Sequence, residues 1–138
     1  MEATLAAATF SGLPSTLHAL IKRRSLRSAV VYVYDTTRAV GTLAPPGRPG
    51  FGRGVVVHLA ISILCGETLA RALPRDHPAE WGAAAGWMIG VINVGVIGRA
   101  FPAIRCLPLV PQIADNVMFG TVFAVVLDTR ERRQTTAD

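Results

Sequence analysis

His18, His58, Glu67 and Asn93 stand inside otherwise apolar stretches of the chain, and each side chain suits a different job. An imidazole shuttles protons or ligates a metal, a desolvated carboxyl carries a proton, and an amide ties one helix to another. His18 shares a helix face with Ser11, Ser15 and Lys22, a polar seam able to pass a proton or grip a ligand headgroup. The plainer reading has both serines bonding carbonyls of their own helix, with His18 near an interface. His58 precedes Ser62 by four residues and Cys65 by seven, so the three line one face. Seven residues are about 10 Å along a helix, too far for His58 and Cys65 to share a metal without further ligands. Glu67 lies on the face opposite His58, so no carboxylate orients the imidazole and acyl-transfer chemistry is not expected. Glu67 also precedes Arg71 by four, the order that favours an intrahelical ion pair. His18, His58 and Glu67 are thus the candidate polar path, weighed against surface pairing and local capping.

The motifs that announce an enzyme do not occur. There is no P-loop, dinucleotide glycine fingerprint, zinc-protease helix or nucleophile elbow. No cofactor, metal or catalytic residue is therefore expected. Cys65 and Cys106 form no paired or metal-ligand spacing and are expected to be reduced. The formal charge of +5 raises nucleic acid as a partner, but the basic residues flank apolar runs, so it is not expected.

The elements that must position these residues are apolar. Of 138 residues, 51% are hydrophobic and 17% charged, against roughly 25% charged in soluble domains. Crossing about 30 Å of hydrocarbon takes roughly 20 mostly apolar residues. Five segments come near that requirement: Ala3–Ile21, Ser28–Leu43, Gly54–Leu73, Trp81–Gly98 and Ile113–Leu127. Pro14 is expected to kink the first. The second carries Asp35 and Arg38, three residues apart, and either spans or lies in the interface. Proline and glycine from Ala44 to Arg53 make a loop, Arg75–Glu80 is a wet connector, and Arg99–Gln112 is an interfacial one. The last segment opens with Asp115 and Asn116, read as acceptors for its own first turn. The expectation is an all-α transmembrane bundle of four to five short helices, with residues 1–128 as one domain and 129–138 as a polar, frayed tail.

Gly82, Gly86 and Gly90 recur every four residues, so they line one helix face, and Asn93 continues it. Small residues at this spacing let another backbone approach closely, with an amide hydrogen bond across the contact. Orientation is less determined. Five crossings put nine basic residues inside against four outside; four crossings, with 28–43 flat, put nine inside against five. Both arrangements leave the cluster Lys22, Arg23, Arg24 and Arg27 in the cytoplasm. That cluster follows the first apolar stretch, opposite to a secretory leader, so no cleavage is expected.

Ser11-Gly12-Leu13-Pro14-Ser15-Thr16-Leu17-His18-Ala19-Leu20, with Gly98-Arg99-Ala100-Phe101-Pro102-Ala103-Ile104-Arg105 and Pro111-Gln112-Ile113-Ala114-Asp115-Asn116, resembles a group of small bacterial multi-span membrane proteins of uncharacterised function. The resemblance runs from Ser11 to about Val126. It implies an integral protein of the bacterial plasma membrane with the lipid bilayer as partner, and adds no catalytic residue. The leading functional expectation is a non-enzymatic structural or accessory subunit acting through close helix packing, within a homo-oligomer or a larger membrane complex. The alternative is a small-solute or proton-linked transporter.

Overall fold

The computed structural model describes residues 1–23 and 25–136; Arg24 of the basic cluster and residues 137–138 of the tail lie outside the described residues. Among those described, all regular structure is helical. The helices are α1 (Glu2–Phe10), α2 (Leu13–Arg23), α3 (Leu26–Val40), α4 (Phe51–Ala72), α5 (Pro78–Ile92), α6 (Gly98–Ala100), α7 (Pro102–Arg105) and α8 (Leu109–Thr135). A π-helical turn over Asn93–Ile97 joins α5 to α6, making one rod from Pro78 to Ala100.

Three helices are long and apolar enough to cross a membrane: Phe51–Ala72, Pro78–Ala100 and Leu109–Thr135. Only 17%, 22% and 28% of their most apolar stretches is buried within the chain, so most of that surface faces outward. Leu64, Trp87 and Val110 are 68%, 56% and 71% exposed. Water penalises such an exterior and hydrocarbon favours it, which is the physical case for a membrane protein.

The remaining segments depart from the sequence expectation in instructive ways. The first is two helices broken at Ser11–Gly12. Pro14 has no N–H to donate to the carbonyl of Phe10, and that lost rung falls at the break. The second is the 15-residue α3, which at about 1.5 Å per residue is shorter than roughly 30 Å of hydrocarbon. A 3₁₀ turn over Gly41–Leu43 follows it. The fifth segment begins earlier and ends later than expected: α8 starts at Leu109 and continues to Thr135, where fraying was expected from residue 129. Ion pairs hold this last portion. Arg132 meets Asp128 at 2.8 Å, Glu131 meets Arg75 at 3.0 Å, and Arg130 meets Glu2 at 2.9 Å.

Those contacts also fix the layout. Glu2 lies beside Arg130 and Ser15 beside Asp115, so α1 and α2 run antiparallel to α8. Near the Glu2 end, Ala3, Ala7, Leu69, Phe119 and Phe123 form the buried core where α1, α4 and α8 meet. At the opposite end α3 packs on α2 and on the start of α4, and touches α7. There a Cβ on Gly41 would stand 2.8 Å from the Gly50 carbonyl, and Tyr34 stacks on Phe51 with ring centres 5.2 Å apart. Gly54 meets the Thr37 backbone so closely that no side chain fits.

Candidate functional site

The α5–α8 pair is the most extensive helix contact in the chain. A Cβ on Gly82 would collide with the Gly120 carbonyl, and one on Gly86 with the Asn116 carbonyl. At Gly90 it would stand 3.1 Å from Ile113 Cα. Gly120 on α8 reciprocates against Gly82 and Gly86. Asn93 Nδ2 donates to Asn116 Oδ1 at 3.1 Å, and Asn116 Nδ2 donates to the Gln112 carbonyl at 2.7 Å. Gln112 Nε2 donates to the Leu107 carbonyl at 2.9 Å. Three amides thereby link the π-helical turn, α8 and the connector before it. A π-helical turn inside an α-helix is rare overall and frequent at functional sites.

Beside that network lies a cavity of about 380 Å³ bounded by α1, α2, α3, α4, the π-helical turn, the α7 connector and α8. Its polar lining includes His58 and Ser62 from α4, Asn93, Gln112, Asp115 and Asn116, and the break residues Ser11 and Gly12 with Ser15. No lysine or arginine lines it among the described residues.

Asp115 is the site's distinctive group. Its Oδ1 accepts the backbone N–H of Ser15 at 2.9 Å, across a hundred residues of sequence. The break frees that donor from the helix ladder, and a carboxylate in the first turn of α2 satisfies it and opposes the helix dipole. Ser11 Oγ donates to the Ala8 carbonyl at 2.9 Å and Ser15 Oγ to the Gly12 carbonyl at 3.1 Å. Each of the two serines is at most 6% exposed. His58 Nε2 lies 3.5 Å from the Ala8 carbonyl, a loose contact that leaves the ring free to face the cavity.

The candidate polar path is not assembled around the cavity, and the plainer alternatives of surface pairing and serine bonds to nearby carbonyls are what the structure shows. Of His18, His58 and Glu67, only His58 lines the cavity. Glu67 is exposed on the outer side of α4 and pairs with Arg71 at 3.0 Å. His18 is half-buried on α2 away from the cavity lining. The reason is geometric: helical spacing says which residues share a face, not which face turns inward. Asp115 departs from the sequence expectation for a related reason. It is not in the first turn of α8, which begins two turns earlier at Leu109, and the helix it caps is α2. The available signal was an acid inside a stretch that is apolar from Leu109 onward, since ionisable residues at membrane depth mark function by default.

Among the described residues, no three of His, Cys, Asp and Glu come together in a way that would hold a metal ion. Comparison with protein-family models, with curated proteins and with solved structures finds no match to this chain.

Proposed function

We propose that this chain is a non-enzymatic, multi-span protein of a bacterial plasma membrane that holds a small polar solute at Asp115, with the α5–α8 hairpin as its rigid scaffold. The observation that carries the reading is the Asp115 bond to the Ser15 N–H at a helix break lining the cavity. Irregular backbone at membrane depth is tolerated where it is buried in protein or lines a water-filled space, and broken helices build the binding sites of many membrane carriers. A volume of about 380 Å³ suits a small molecule. With one carboxyl and no lysine or arginine in the lining among the described residues, the solute is neutral or cationic, because an anion would face Asp115 unpaired.

The glycine face offers a partner little, since α8 already fills it. A purely accessory role would therefore act through other surfaces and would leave Asp115 dispensable. The two roles separate in lipid nanodiscs screened by thermal shift against small amines, amino acids and neutral polyols. A solute that raises the melting temperature of the natural chain, but not of Asp115→Asn, supports the proposal. A hit that stabilises both equally, or no hit across the three classes, overturns it.

A further inference from the structure

The two ends of the bundle are electrostatically unlike. All the arginine–carboxylate ion pairs among the described residues lie at the end that holds Glu2: Glu67 with Arg71, Arg75 with Glu131, Glu2 with Arg130, and Asp128 with Arg132. Basic and acidic side chains there largely cancel. The opposite end exposes Lys22, Arg27, Arg48, Arg53, Arg99 and Arg105 with Asp35 as its acidic residue. Arg38 at that end lies over the Tyr34 ring, 5.7 Å from its centre, and Tyr34 stacks on Phe51. Tyrosine beside exposed arginine is what a membrane–water boundary selects.

We infer that this basic end is a docking surface for the anionic phospholipid headgroups of the cytoplasmic leaflet, which fixes the chain with its Glu2 and Thr135 ends together on the opposite side. Three arguments converge. Arginine binds phosphodiester oxygens in a fork that water only partly replaces, so exposed arginines with no carboxylate partner among the described residues seek phosphate. Loop arginine and lysine are retained on the cytoplasmic side during insertion. The leaflet they meet there carries the negative surface potential that attracts them. The layout supplies the parity: α1 with α2, then α4, then the rod from Pro78 to Ala100, then α8, cross alternately, while α3 stays at the basic end. Sequence counting alone is unable to distinguish four crossings from five. The Glu2–Arg130 pair distinguishes them, because an odd number of crossings would put Glu2 and Arg130 on opposite faces of the bilayer.

The inference rests on the chain spanning a membrane and is independent of the solute at Asp115. Cys106 is an exposed native reporter at the basic end. Asp76→Cys, in the exposed connector between α4 and α5, reports the other end in a Cys65→Ser background. In intact cells a membrane-impermeant maleimide is expected to label Asp76→Cys and spare Cys106, and to label Cys106 once the membrane is permeabilised. The reverse pattern, or Cys106 labelled from outside, overturns the orientation. For the lipid, the natural chain is expected to melt higher in phosphatidylglycerol nanodiscs than in phosphatidylcholine ones. A variant carrying Arg48→Gln, Arg53→Gln, Arg99→Gln and Arg105→Gln is expected to lose that increment while melting normally in phosphatidylcholine. An equal increment in both chains, or none in the natural one, overturns the docking surface.

Discussion

Helix α8 makes two contacts of opposite character. Toward α5 it meets a glycine face so closely that backbone touches backbone, with Gly120 set against Gly82 and Gly86. Toward α2, little more than a turn nearer its own start, it offers Asp115 to a freed N–H and borders a cavity. The first contact is dry and derives from shape, the second polar and derived from charge. The difference teaches how a small chain carries a costly buried polar site: the rigid contact beside it holds the polar groups at fixed spacing, so that Asp115, Asn116 and Asn93 have nowhere else to go. In hydrocarbon, where helices gain little from apolar burial, such close packing is the main source of cohesion.

The largest effect is expected where the dry contact is broken. Gly86→Leu forces a side chain into the Asn116 carbonyl and should cost at least about 3 kcal/mol, the upper part of the range for overpacking. Its signature is loss of the monodisperse peak in detergent chromatography. Gly12→Ala is the matching control on the polar side, because nothing beyond its own chain neighbours lies within 4 Å of the added methyl. It should leave the peak and the melting temperature in place.

Next in size is Asp115→Ala, which strands the Ser15 N–H at a cost of about 1–3 kcal/mol. Asp115→Asn keeps an oxygen acceptor and should recover most of that loss in thermal melting without recovering solute binding. If Asn recovers both, the charge is irrelevant and the site is a helix cap and nothing more. Asn93→Val removes one amide bond across the hairpin and should cost roughly 0.6 to 1 kcal/mol, the usual worth of such bonds in membranes. The smallest effects belong to His18→Ala and Glu67→Gln. Glu67 and its partner Arg71 are 60% and 74% exposed, and exposed pairs contribute at most about 1 kcal/mol. Neither change should move solute binding.

Several features were legible in the residues, for stated reasons. The four-residue glycine period carries its own meaning, because the only use of a small face is close approach. What it does not carry is the identity of the opposing helix, which comes from Gly120, a single glycine with no period of its own. Apolar runs announce membrane-length helices, yet the first run conceals a break, because Pro14 removes one rung without saying whether a helix bends or stops. Asp115 shows the limit most sharply. Its role depends on Ser15, and no local pattern links residues a hundred positions apart. Glu67 is an acid in an apolar run, a pattern that marks function by default, but its face is the outer one.

One measurement bears most directly on the central claim, that lipid bathes the apolar exterior while water and solute reach the polar cavity. His58→Cys and Leu64→Cys, each in a chain with Cys65→Ser and Cys106→Ser, are reconstituted in nanodiscs and exposed to a small water-soluble thiosulfonate. His58 is half-buried and lines the cavity, whereas Leu64 is 68% exposed on the outer surface. The account predicts that the less exposed position reacts and the more exposed one does not. Reaction at Leu64→Cys with none at His58→Cys would contradict it.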